Sequence, residues 1–270
     1  MNILSKKTSC LVCILLLYTV NIHAEVIEID FVYVGDAKHS SLLGVKQGID
    51  ESNLQGQFLN QKYNLDIVAS NEIDGYDFSK YIAVLTSLNA SQLKKLAKQL
   101  TDTPVFNLVD ESNELRLNCI SNILHIAPSS KMKSDALEQL QIKKPNSNAN
   151  PKSWHYSFVK FAARDLNKRF KKNYKVNMDD DSWAGWAGVK MTSDTVARTQ
   201  ITNSKEMLGY LKNKLSFDGQ KGSDMNFRVT GQLRQLILLV ENDKIVAEAP
   251  IRGVAKPPTL DSLGSLECAN

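Results

Sequence analysis

From Glu25 to Gln141 short apolar runs alternate with stretches whose apolar positions recur at helical spacing. Val26 to Val34 (VIEIDFVYV) is β-branched and aromatic-rich and ends on Gly35-Asp36, which predicts a strand followed by a turn. Over Ser41 to Asn60 the apolar positions Leu42, Val45, Ile49, Leu54 and Phe58 predict a helix. Asn64 to Ala69 and Tyr81 to Leu85 read as buried strands, and Ser91 to Leu100 as a helix with Asn89 or Ser91 as N-cap. Two more strands at Val105 to Val109 and Asn122 to Ile126, and a helix at Ser130 to Leu140, continue the alternation. Such a sequence of elements predicts a parallel sheet covered by helices on both faces.

The pattern then changes. Lys143 to Ser153 (KKPNSNANPKS) is polar, with two prolines and three asparagines, and reads as a linker. Three helical patterns follow it, at Trp154 to Phe170, Asp181 to Arg198 and Ser204 to Leu215. Gln235 to Val240 and Lys244 to Ala249 then form a hairpin. The second half therefore has almost none of the strand–helix–strand units that a second parallel sheet needs. The expected fold class is α/β: a parallel-sheet lobe over 25–142, a linker at 143–153, and a reduced, mainly helical part with a C-terminal hairpin over 154–270.

The N-terminus changes the picture of where this domain works. Lys6 and Lys7 precede the apolar run Leu11 to Val20, which is short for a membrane span, and Ile22-His23-Ala24 ends on a small residue. Residues 1–24 are read as a signal peptide with the mature chain starting at Glu25, and an uncleaved anchor is the alternative. Cys13 lies inside the apolar run without the small residue before it that a lipoprotein signal would show. Without Lys6 and Lys7, the 33 basic residues become 31 against 29 acidic ones, a net charge near +2. That balance gives no electrostatic case for nucleic acid. Loss of Cys10 and Cys13 leaves Cys119 and Cys268, and two thiols in an oxidising compartment point to a disulfide.

Candidate chemistry is sparse. His39, His125 and His155 show no metal-type spacing, and there is no glycine-rich phosphate loop, nucleophile elbow or paired-carboxylate signature, so neither a cofactor nor catalysis is expected. His125 lies in a strand and reads as a structural residue. In open parallel sheets ligands sit beyond the C-terminal ends of the strands. Here those ends carry Asp36, Lys38, His39 and Ser40, then Thr86 and Ser87, then Asn107. They are the candidate ligand-binding residues, with ordinary turn and cap roles as the alternative. The basic end of the first later helix (Lys168, Arg169, Lys171, Lys172) reads as a solvated face beside the helix C-terminus. Asp179, Asp180 and Asp181 open a helix, where carboxylates are favoured by the dipole, or else supply oxygens to a hard cation.

Two groups of residues resemble a known family. Phe217-Asp218-Gly219-Gln220-Lys221-Gly222, Asn226-Phe227 and Gly231-Gln232-Leu233-Arg234-Gln235 resemble the C-terminal signature of branched-chain amino-acid-type periplasmic binding proteins. Phe106-Asn107, Leu115-Arg116, Cys119, Asn122-Ile123-Leu124-His125, the Trp183–Lys190 stretch and Leu260–Gly264 with Cys268 are similar to one subgroup. That subgroup comprises the substrate-binding proteins of ABC transporters associated with PQQ-dependent alcohol dehydrogenases. The resemblance implies a type I periplasmic-binding fold with two α/β lobes around a cleft, and a disulfide between Cys119 and Cys268. It also implies a small-molecule solute, and an ABC permease or a periplasmic PQQ-dependent alcohol dehydrogenase as partner. This chain departs from the family after Leu137–Gln141, where the units that build lobe two are missing. The expected function is periplasmic solute binding within that transport system, and the alternative is an accessory protein that has lost its solute.

Overall fold

The computed structural model describes residues 26–269, and the expected signal segment lies outside them. The first strand, β1 (Ile27–Val34), sits inside a parallel sheet and must bury both faces. Its alternation does so: Phe31 and Tyr33 enter one core and Val32 and Val34 the other. Around it lie β2 (Gln61–Val68), β3 (Ala83–Thr86), β4 (Val105–Asn107) and β5 (Ile123–His125), all parallel, in the order β2-β1-β3-β4-β5. The register pairs Val34 with Thr86, Thr86 with Asn107 and Asn107 with His125, so the strand ends form one row.

The connections are α1 (Ser40–Gly56), α2 (Ala90–Gln99), α3 (Asn113–Leu117) and α4 (Ser130–Lys143). Asn89 caps α2 by accepting from the Gln92 amide at 3.0 Å. Leu93 and Leu96 of α2 and Leu115 of α3 cover one face of the sheet. The other face is covered by α1 and by α6 (Asp180–Thr199), a helix from the far half of the chain. These two helices approach at backbone distance. A Cβ on Gly44 would lie 1.7 Å from the Ser182 carbonyl oxygen, and one on Gly185 would lie 2.2 Å from that of Ser41. Farther along the seam the Ser52 hydroxyl donates to Ser193 Oγ at 2.8 Å.

The core does not divide at the 143–153 stretch. One continuous cluster joins Phe31 and Leu85 of the sheet to Trp154, Trp183, Phe217 and Leu238. The stretch itself contains a short strand, β6 (Asn150–Lys152), paired antiparallel with β7 (Ile237–Glu241), which pairs in turn with β8 (Lys244–Ala249). Among the described residues this three-stranded antiparallel sheet is the only sheet besides the parallel one. Ile237 and Leu239 of β7 pack on Met132, Ala136 and Leu140 of α4, whereas Leu238 and Val240 face the main core. The pattern predicts one helix over Trp154 to Phe170, but α5 runs only from Ala163 to Tyr174. The preceding turn stays irregular because the Asp180 carboxylate accepts from the Trp154 amide at 2.8 Å, and Trp154 stacks on Trp183 at 5.8 Å. After α6 comes α7 (Ser204–Asn213).

Cys119 and Cys268 are joined across a sequence separation of 149. Charged groups hold the same tail. Arg228, buried, donates to the carbonyls of Leu260 and Leu263 at 2.6 Å each, and Asp261 accepts from both Arg228 and Arg234.

Candidate functional site

The row of strand ends splits the expected ligand-binding residues into two groups. Beyond β1 the chain turns sharply. Gly35 has φ +150°, and a Cβ there would lie 2.0 Å from the Ser87 hydroxyl, so glycine lets the two strand ends meet. Asp36 organises the next turn, its carboxylate accepting from the Lys38 amide at 2.8 Å. His39 is the N-cap of α1: Nδ1 accepts from the Ser41 amide at 3.3 Å, which leaves the ring proton on Nε2. That edge of the ring lies 3.7 Å from the Asp181 carboxylate at the start of α6. Asp36, Ala37 and Lys38 are exposed, and His39, Ser40 and Ser87 are half-buried. Together they form an open polar lip.

Tyr33 and Ser41, which the sequence reading missed, support this lip from below. The Tyr33 hydroxyl donates to Ser87 Oγ at 2.7 Å and lies 2.9 Å from Ser41 Oγ. Burial raises its pKa, so it stays a neutral phenol. Alternation on β1 gave no warning, because a tyrosine at that position reads as core.

Thr86 and Asn107 lie in the same row but turn inward. The Thr86 hydroxyl donates to the Phe106 carbonyl at 3.1 Å. Asn107 is fully buried: its Oδ1 accepts from the amides of Val109 and Asp110, and its Nδ2 donates to the Asp110 carbonyl and to His125 Nδ1 at 2.9 Å. His125 is held neutral by burial and by nearby Arg116. Its backbone takes another segment as a sixth, strand-like edge, with the His125 amide donating to Gly231 O and the Leu233 amide to His125 O. Arg116, also buried, donates to Gln232 Oε1 at 3.0 Å. These two candidates therefore shape the row from inside and present no free group to it.

The three consecutive aspartates have three different partners. Asp179 caps α6 in a reciprocal box with Ser182. Asp180 accepts from Ser153 and Trp154 and pairs with Lys152 at 3.1 Å. Asp181 alone belongs to the lip, where burial, and next Asp179 and Asp180, push its pKa up to about 7. Among the described residues no three His, Cys, Asp or Glu side chains are grouped to hold a metal ion. The His39–Asp181 pair offers a solute a hydrogen-bond donor and a carboxyl whose pKa is raised, mainly by burial.

With this geometry in place, the chain is similar to periplasmic binding proteins of known structure. It matches no family model, and no curated protein matches it in sequence. A branched chain amino acid ABC transporter periplasmic ligand-binding protein from Burkholderia xenovorans superposes with a TM-score of 0.69 at 10% identity, covering 82% of this chain and 95% of that one. An ABC-type branched-chain amino acid transporter protein from Rhodopseudomonas palustris gives 0.68 at 10% identity, covering 90% and 100%. A substrate binding protein of the branched-chain amino acid transporter from Streptococcus pneumoniae, in complex with isoleucine, gives 0.62 at 10% identity, covering 83% and 99%. The fold is that of the type I periplasmic binding proteins. No helix of the described residues is long and apolar enough to cross a membrane.

Proposed function

We propose that the chain acts by binding rather than catalysis, as an exported, periplasmic solute-binding-type protein. In this reading it is the substrate-binding component of an ABC transporter linked to PQQ-dependent alcohol oxidation. One observation carries the proposal: a type I periplasmic-binding fold bears an open polar lip (Asp36, Lys38, His39, Ser40, Ser87) at the ligand-binding edge of its parallel sheet. Support for the particular transport system comes from the sequence blocks around Phe106–His125, Gly231–Gln235 and Leu260–Cys268. These meet in three dimensions through the Cys119–Cys268 bond and the His125–Gly231 pairing. Isoleucine, present in the Streptococcus protein, is a reasonable first solute to test.

A thermal-shift series with branched-chain amino acids, alcohols, their carboxylic acids and PQQ tests the reading. A concentration-dependent rise in Tm with one of these classes supports it, and no rise with any of them refutes it. A second reading, an accessory protein that has lost solute binding, is favoured by a specific observation. Thr86 and Asn107 have hydrogen-bonded partners inside the protein, and the second sheet has only three strands. Recovery of a dehydrogenase or permease component by the immobilised protein, with no Tm response, would establish that alternative.

A further inference from the structure

On α5, Arg164, Lys168 and Lys171 recur at i, i+4 and i+7, which places them in one stripe, and Lys175 continues it just past the helix end. None of the four pairs with an acidic side chain among the described residues. By contrast, Arg169 of the same helix pairs with Glu51, and Lys160 before it with Glu248. The helix contains one acid, Asp165, outside the stripe.

A groove of about 220 Å³ runs along this stripe, lined by Tyr156, Val159, Arg164, Lys168, Lys171 and Met178. Two of its lining residues are exposed apolar or aromatic side chains, Val159 at 49% and Tyr156 at 39%. Phe161, in the turn before α5 with φ +52°, lies outside this lining, its ring against Gly222. The patch thus mixes unpaired cations with projecting apolar and aromatic side chains, and these belong to the helix and to the loops at both of its ends.

We propose that this patch docks the protein on an anionic phospholipid surface. The unpaired positive stripe complements acidic headgroups, and the lysine stems can lie along apolar surface while their ammonium groups reach phosphates. Val159 and Tyr156 have the character of side chains that enter the headgroup and acyl boundary. Lysine is depleted at protein–protein interfaces, and three of the four stripe residues are lysines, which favours lipid over an acidic protein partner. The patch shares no residue with the lip at the strand ends, so lipid docking does not depend on the solute reading.

Vesicle flotation tests the proposal with the purified protein. It is expected to float with phosphatidylglycerol vesicles, to stay behind with phosphatidylcholine vesicles, and to lose the first association as salt is raised. Lys168→Glu with Lys171→Glu is expected to weaken partitioning about tenfold or more, because surface potential acts on each cation. These exposed substitutions should leave the circular dichroism and Tm unchanged. Val159→Ser should reduce binding without altering its salt dependence. Absence of flotation with phosphatidylglycerol at low salt would overturn the proposal, as would flotation indifferent to the charge reversal. Photo-crosslinking from α5 to an acidic protein, without vesicle binding, would overturn it in favour of a protein partner.

Discussion

The α1–α6 seam and the C-terminal tail both tie distant parts of the chain to the same parallel sheet, by opposite means. At the seam, Gly44, Gly48 and Gly185 remove side chains so that helix backbones touch, and the gain is close packing over a shared apolar core. At the tail a smaller apolar contact, Leu263 against the Met132–Leu140 face of α4, is joined by charged groups. The segment is held by Arg228, Arg234 and Asp261, by the Gly264 amide on Asp135 at 2.6 Å, and by one covalent bond. The first attachment is intolerant of added volume, and the second is sensitive to redox state.

The largest effect should come from the seam. Gly44→Val puts branched carbon against a backbone oxygen that cannot move aside, and a loss of about 4 kcal/mol or more is expected. Gly209→Ala in α7, where an added Cβ meets nothing within 4 Å, should be neutral or slightly stabilising. Urea denaturation of the two variants checks this, and similar midpoints would break the account of the seam.

The tail comes next. Replacing Cys119 and Cys268 together by serine removes the closure of a long loop and should lower stability by about 2–4 kcal/mol. Limited proteolysis of the variant should release the segment after Ile251 first. A variant as resistant as the parent would show that the charged contacts suffice.

A smaller effect should appear at the lip. The Asp181 carboxyl, raised to about 7 from the 3.8 of a free carboxyl, binds its proton more tightly in the folded protein. Its protonated form therefore supports folding at low pH, and that support is lost as pH rises from about 4 through 7. Asp181→Asn should raise stability at pH 8 by about 1 kcal/mol, since the side chain is 37% exposed and screened, and by less at pH 4. A lower Tm at pH 8 would contradict it. The smallest effect is expected for Asp36→Ala and Lys38→Ala. Both residues are exposed, so their stability changes should stay within about 0.5 kcal/mol while solute binding falls.

These two attachments also show what the sequence could reveal. The disulfide was legible because two cysteines remain once the N-terminal pair is set aside, and a rare residue type leaves few pairings. Strands and helices of the sheet were legible because a parallel sheet must bury both faces. The seam was not, although both of its helices were recognisable. Gly44, Gly48, Gly185 and Ser182 carry no apolar periodicity, so nothing local told which helix the α1 surface would meet. For the same reason 143–153 read as a divide, when its last residues form β6 against β7. At the site, position along the strand was readable but side-chain direction was not. Asp36 to Ser40 and Ser87 reach the lip, while Thr86 and Asn107 turn inward to partners set by neighbouring strands. Asp181 came to the lip from a helix start that read as a cap or as oxygen ligands for a cation.

The central claim, that the lip is where a solute binds, is tested most directly by hydrogen exchange. The protein would be measured with and without whichever compound raises its Tm. Slower exchange confined to residues 36–42 and 87–89, and abolished in Lys38→Ala, is the predicted result. Protection elsewhere, with these segments unchanged, would contradict the account.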